Sequence, residues 1–182
     1  MRIPEIVRKI WDKYGLDRGV RDHCIAVAKL SLEIAEKIEK NGHKVDMDSI
    51  LIGALLHDIG RATTNAPLLH FVKSGEILRA EGLNEKIVKI AERHFSAGLS
   101  KEDALKLGIP PKDYIPESLE EKIVSLADNL ILNSRVISFE RFIQRLDEID
   151  KKNPELKWFT AKSKKRAERI RREIEELSGL RF

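Results

Sequence analysis

The chain has 182 residues, 35% of them charged and 5% aromatic, with a net charge of +4 and a single cysteine, Cys24. That length suits one domain with a sizeable core, and one cysteine excludes an internal disulfide and points to a reducing compartment. Residues 161–182 hold eight Lys and Arg against four Glu, which leaves the remainder neutral and argues against a uniformly basic nucleic-acid-binding surface.

Met1-Arg2-Ile3-Pro4 leads straight into an amphipathic stretch rather than an apolar leader. Pro4 suits the first position of a helix that Gly15 closes. A second helix runs from about Gly19 to Asn41, with Val20, Val27, Leu30, Ile34 and Ile38 on its apolar face. Asp46 or Asp48 caps a third, which carries the apolar run Ile50–Leu56 and ends near Gly60. That run is the longest in the chain and too short to span a bilayer, so no membrane partner is expected and the reading is a cytoplasmic protein.

Thr63–Pro67 reads as a loop, followed by a helix from about Leu69 to Ala80 and another capped by Asn84, with Ile87, Ile90, Ala91 and His94 on one face. Ser100 with Asp103, and Ser118 with Glu121, read as capping boxes. The spacing predicts a helix from Ser118 through Leu132, another from Ser138 to about Lys151, and a last one from Pro154 to Leu177 with Gly179 as its stop. Val45, Val72 and Val136 are isolated β-branched residues in helical contexts, and no strand pair is expected. The fold class is all-α, a helical bundle.

Four of these helices each direct an imidazole or carboxylate inward. His23 is in line with Val20 and Val27, and His57 closes the most apolar helix. His94 shares a face with Ile90, and Asp128 lies between Val124 and Ile131. A buried carboxylate without a partner is costly, and a shared divalent cation satisfies several such groups at once. Mixed imidazole and carboxylate donors suit Mn, Fe, Co, Ni, Zn or Mg.

These residues carry a resemblance. His23, His57-Asp58, His70, His94 and Asp128 occur in the order of the HD superfamily of metal-dependent phosphohydrolases, and His57-Asp58-Ile59-Gly60 matches the signature of its HDIG subset. Gly53-Ala54-Leu55-Leu56 before the signature, Arg21–Ala28 around the first histidine, His70–Leu78, Ala91–His94 and Glu121–Asn129 resemble the flanking motifs. Together they cover about residues 18–135. Ser74-Gly75 stands where the family often has Gly-Ala, and Arg61 where many members have Lys.

The resemblance implies an HD-type helical bundle, with residues 1–137 as the phosphohydrolase domain and 138–182 as a C-terminal helical extension packing on it. It implies one metal held by His23, His57, Asp58 and Asp128, and a second held by His70 and His94 with Asp58 bridging. Two such ions would activate a hydroxide for attack on phosphorus. The expected reaction is hydrolysis of a phosphate ester, a monoester or diester, on a nucleotide or cyclic nucleotide. Dinucleoside polyphosphate hydrolysis is an alternative, as is a metal-bound nucleotide sensor or interaction module with little turnover; di-iron redox chemistry is a more distant one.

Arg61, Lys73, Arg93 and Arg135 lie within a few residues of these ligands and are the candidate phosphate-binding cations, with Arg61 first because it follows the signature turn. His43 fits no motif and reads as an exposed turn residue. Cys24 sits about 100° round the helix from His23 and reads as packing. Trp158 and Phe159 read as packing residues for the last helix, and Lys162–Arg172 as a solvated face with Arg–Glu pairs. Ile170, Ile174 and Leu177 on one face could pair two chains into a homodimer.

Overall fold

The computed structural model describes residues 1–182 and contains nine α-helices: α1 (Glu5–Tyr14), α2 (Arg18–Lys40), α3 (Met47–Leu56), α4 (His70–Ala80), α5 (Glu85–Arg93), α6 (Lys101–Lys106), α7 (Leu119–Asn129), α8 (Phe139–Lys152) and α9 (Lys157–Ser178). Local chemistry sets many of the boundaries. Asp17, Asp46, Asn84, Ser100, Ser118 and Ser138 each accept a backbone N–H of the first turn. Gly15 and Gly179 end α1 and α9 in the left-handed conformation. Ser100 and Asp103 form a complete capping box. Ser118 forms only half of one, because the Glu121 carboxylate accepts the Glu117 amide instead.

α3 is the axis of the bundle. Its Ile50, Ala54, Leu55 and Leu56 are fully buried, and it packs on α2, α5 and α7. An apolar helix of this kind has no solvent face to present and stabilises the fold by about 1.5–3 kcal/mol per large side chain buried. Gly53 lets α5 approach closely, since a Cβ there would lie 2.7 Å from Ile90 Cγ2. Trp11 Nε1 donates to Leu55 O at 3.0 Å and ties α1 across the end of α3.

Three expected elements differ. The last α-helix begins at Lys157, after a 3-10 turn at Pro154–Leu156, and not at Pro154. α3 stops at Leu56, and a separate 3-10 turn, Ile59–Ala62, follows it. α7 stops at Asn129, not Leu132. Ile131–Leu132 and Arg135–Val136 instead form a short antiparallel ladder, with Ile131 opposite Val136. The turn between them places Asn133 and Ser134 at φ 48 and 61, and that tight reversal cannot continue a helix. Val136 therefore belongs to a strand.

Phe139, Phe142, Leu146, Ala167, Ile170 and Ile174 join the same apolar cluster as Ile10, Ile34 and Leu55, so α8 and α9 share the core of the preceding helices. Phe159 joins a smaller cluster with Phe71, Leu99 and Tyr114. α9 is further held by Lys162 and Arg166, both on the fully buried Asp103 carboxylate. No helix is long and apolar enough to cross a membrane.

Candidate metal centre

Three histidines are oriented by one repeated device. His57, His70 and His94 each place Nδ1 at 2.7 Å from a backbone carbonyl three residues earlier: Ala54, Pro67 and Ala91. A carbonyl can only accept, so Nδ1 carries the hydrogen in each ring and the Nε2 lone pair is aimed inward. His70 Nε2 and His94 Nε2 then face each other at 3.2 Å. Two lone pairs at that separation gain nothing from one another and are satisfied together by a cation.

Around them, His23 on α2 places Nε2 at 2.9 Å from Asp128 Oδ1 on α7. His57 Nε2 lies 3.4 Å from that same oxygen and 3.8 Å from Asp58 Oδ2. Asp58 Oδ1 lies 3.3 Å from His70 Nε2 and 3.6 Å from His94 Nε2. The donors fall into three overlapping groups: His23, His57 and Asp58; His57, His94 and Asp128; Asp58, His70 and His94. Within each group the donor atoms lie within 4.8 Å of one another. Asp58 belongs to two of these groups and stands between the His23 side and the His70 side.

Two atoms test whether a metal fits. His57 Nε2 and Asp58 Oδ1 are buried and have no hydrogen-bond partner in the protein. Leaving such groups bare costs about 1–3 kcal/mol each, and more for a charged oxygen. Both face the centre of the cluster, and the imidazole and carboxylate donors match a divalent cation. The residues fit the group.

The electrostatics agree. Burial opposes ionisation of Asp58, but the His57 and His94 rings outweigh it and hold the carboxyl well below its usual range. Asp128 is held low in the same way, with the His23 and His57 contacts overcoming burial. Burial and the His94 ring push His70 down to about 3, so this imidazole is neutral and keeps its Nε2 lone pair, which Arg61 Nη2 approaches at 3.5 Å. Burial disfavours a charged His57, yet the Cys24 thiol and the Asp58 carboxylate raise its proton affinity. The Ala54 carbonyl that accepts from Nδ1 strengthens Nε2 as a ligand.

Supporting contacts fix the frame. Gly60 N donates to Ser74 Oγ at 2.9 Å, which pins the turn after Asp58 to α4. Ser125 Oγ donates to the His94 carbonyl at 2.9 Å. Ser96 and Ala97, two and three residues after His94, have φ of 53 and 59, a conformation costing L-residues roughly 1–2 kcal/mol each. Nothing in the sequence pattern marks those two, since neither is Gly or Asn. Cys24 is fully buried and belongs to none of the donor groups. His43 is exposed.

A cleft of about 650 Å³ opens beside the cluster. His23, His70, Asp128 and Arg61 line it, and the opposing wall comes from the C-terminal extension through Phe142, Arg145, Leu146, Ile149, Leu156 and Phe159. Of the four cations proposed from sequence, Arg61 lines this cleft, with Nε at 2.5 Å from Asp58 Oδ2. Lys73 lies outside the lining and pairs with Glu76 at 2.6 Å. Arg93 is buried and paired with Glu117 and Glu121. Arg135 is exposed on the second strand. Sequence reasoning missed Arg145; the signal was an arginine inside the apolar stripe Phe142, Leu146, Ile149.

A helical bundle that converges histidines and aspartates from separate helices on one buried centre defines a metal-binding class of protein. A model of the HD domain matches residues 20–133. The chain belongs to the HD-domain family, a family of metal-dependent phosphohydrolases.

An uncharacterised protein of Methanocaldococcus jannaschii is 45% identical over 140 residues, covering 76% of this chain and 82% of that one. Proteins named tRNA (cytidine(56)-2'-O)-methyltransferase are 38% identical in Thermoplasma volcanium and 42% identical in Picrophilus torridus, each over 131 residues. The match takes in 72% of this chain but only 37% and 36% of those two proteins.

The fold is similar to the HD domain of the Listeria monocytogenes phosphodiesterase PgpH. That structure alone gives a TM-score of 0.50 at 20% identity, covering 96% of this chain and 98% of that one. The same domain in complex with cyclic-di-AMP gives 0.52 at 18%, covering 98% and 99%.

Proposed function

We propose that this protein hydrolyses a phosphate ester on a nucleotide or cyclic nucleotide, at a divalent metal centre held by His23, His57, Asp58, His70, His94 and Asp128. The observation that carries this reading is the orphaned pair His57 Nε2 and Asp58 Oδ1, buried beneath side chains that line a nucleotide-sized cleft. A bound divalent cation lowers the pKa of water towards about 7 and offsets charge growing on phosphoryl oxygens.

The chain's own residues do the rest. The three Nδ1 contacts keep the rings in one tautomer, and Asp58 stands between the two sides of the cluster. Arg61 restrains Asp58, and its guanidinium, 41% exposed, is available to a phosphoryl oxygen in the cleft. The apolar wall of the extension offers a face for a base. The likeness in fold to a domain solved with cyclic-di-AMP is consistent with a nucleotide ligand.

A panel of mononucleotides, cyclic nucleotides and dinucleoside polyphosphates, assayed with Mg, Mn, Fe, Co, Ni and Zn, tests the reading. Release of phosphate or mononucleotide that disappears in Asp58→Ala supports it. Absence of turnover on every substrate with every metal favours the sensor alternative.

A second reading has its own support. The matching segment is joined to further sequence in two relatives named as tRNA methyltransferases, which suits a phosphate ester carried on an RNA end. Against it, much of the basic charge of α9 is neutralised within the protein: Lys162 and Arg166 by Asp103, Lys164 by Asp147 and Asp150. Preference for a phosphorylated tRNA end over the free nucleotide by more than about tenfold, equal to 1.4 kcal/mol, would replace the first reading by the second.

A further inference from the structure

We propose that Arg145, on the C-terminal extension, binds a second, non-reacting phosphate of the substrate, so that the cleft selects nucleotides carrying two phosphate groups. The inference rests on the hydrolase reading only in naming which phosphate reacts.

Arg145 lies in α8 on the stripe Phe142, Arg145, Leu146 and Ile149, at i, i+3, i+4 and i+7, and all four side chains line the cleft. A stripe of this spacing ordinarily seals against a core. Here it also forms an open wall, with Ile149 40% exposed. Arg145 lines the cleft among these apolar neighbours, an arrangement in which an arginine covers apolar surface with its stem and keeps its head group in water.

The charge balance around Arg145 is unusual for this protein. The other arginines that are not exposed to solvent each hold a carboxylate: Arg21 holds Asp12, Arg93 holds Glu117 and Glu121, Arg141 holds Glu148, Arg166 holds Asp103, and Arg171 holds Glu168. Arg145 is half-buried and forms no ion pair. The one acid on the cleft wall, Asp128, is engaged by His23 and faces His57. An unpaired guanidinium in a partly enclosed site is poorly solvated and favours an anion with oxygens matching its planar fork, as phosphate has.

The phosphate at the metal ligands already has a cation of its own, because Arg61 is fixed to Asp58. Two guanidinium groups on separate elements, one tied to the ligand cluster and one on the facing wall, fit two phosphates. Phe142, Leu146 and Phe159 on that wall offer the apolar surface a base requires. Arg145 lies outside residues 20–133, the segment that the HD-domain model matches.

The test compares wild type with Arg145→Met and Arg145→Lys. Readouts are kcat and KM for a nucleoside 5′-diphosphate, a nucleoside 3′,5′-bisphosphate and the 5′-monophosphate, with calorimetric titration of the same ligands and of pyrophosphate. In Arg145→Met the ratio of kcat/KM for two-phosphate over one-phosphate substrates is expected to fall about 10- to 100-fold, mainly through KM, with partial recovery in Arg145→Lys.

An equal loss on both substrate types would put Arg145 on the reacting phosphate and overturn the proposal, as would an unchanged ratio. The titration separates the two readings. If no ligand is hydrolysed but Arg145→Met weakens diphosphate binding at least about tenfold, the phosphate site stands and the hydrolase reading falls. If wild type and variant bind diphosphate and pyrophosphate equally, or wild type binds neither, the phosphate site falls.

Discussion

Arg61 Nε lies 2.5 Å from Asp58 Oδ2, so one guanidinium fixes one oxygen of the central carboxylate while Oδ1 stays without a hydrogen-bond partner. Arg61→Ala frees Asp58 to rotate and removes a cation from the cleft. The expected result is a loss of about 10- to 100-fold in kcat/KM, the scale of one charge-assisted hydrogen bond. Arg61→Lys should recover only part, because an ammonium lacks the planar fork. Steady-state kinetics with parallel metal titration reads both effects, and wild-type kcat/KM in Arg61→Ala would remove this residue from the chemistry.

The grouping of His70 and His94 with Asp58, apart from His23, predicts two ions. Elemental analysis of His70→Ala should find one metal per chain where the wild type holds two. Asp58→Ala should bind both poorly. An unchanged count in His70→Ala would reduce the centre to one ion.

Gly60 has no room for a side chain. A Cβ there would run into the His70 carbonyl oxygen and the Ser74 amide, both backbone groups that cannot swing away. Gly60→Ala is expected to destabilise the fold by about 1–3 kcal/mol, the cost of overpacking. It should also weaken metal binding, since the turn carrying Asp58 and the helix carrying His70 must separate. Thermal unfolding with and without metal measures both. A variant as stable as wild type that binds metal normally would show that the turn yields freely.

Asp103 is fully buried and holds Lys162 and Arg166 of α9. Burial works against its charge, but the two cations and the Ser100 contacts prevail and keep its carboxyl well below the usual range. A depressed folded-state pKa contributes stability that is complete above the unfolded value, near ~3.9, and is lost as pH falls through the folded value. Asp103→Asn should therefore cost about 3 kcal/mol at neutral pH and flatten the acid limb of the stability curve below about pH 4. Denaturant melts from pH 7 to pH 2 check this. Parallel curves for the two proteins would mean that the ion pairs contribute nothing to holding α9.

The helices were legible because their information is local. Asn84, Ser100 and Ser118 cap where a cap was needed, and the 3.6-residue periodicity of Val20, Val27, Leu30 and Ile34 set the buried face of α2. The end of α7 was not legible, because Ile131 and Val136 satisfy a helical pattern as well as a strand. Only the reversal at Asn133 and Ser134 decides between them; Asn133 tolerates the left-handed conformation, but Ser134 carries no such signal.

Part of the donor set was visible in the pattern, since His23, His57, His94 and Asp128 face inward on four helices, while Asp58 and His70 came only with the family resemblance. Their aim was not. The Nδ1 contacts to Ala54, Pro67 and Ala91 depend on ring rotamers that the packing selects. The fate of each nearby cation was also hidden. Arg93 adjoins His94 in sequence, yet it turns to Glu117 and Glu121. Arg145 is remote from every histidine and faces the same cleft.

By itself, then, the sequence determined an all-α bundle, the faces it buries and four inward polar groups, His23, His57, His94 and Asp128, because those follow from periodicity and from the cost of burying unpaired polar groups. Only the tertiary structure decided which lone pairs meet, which carboxylates neutralise which arginines, and that the C-terminal extension walls the cleft. Those outcomes depend on helices packing across long stretches of chain, where a single turn of helix moves a charge from solvent into the site.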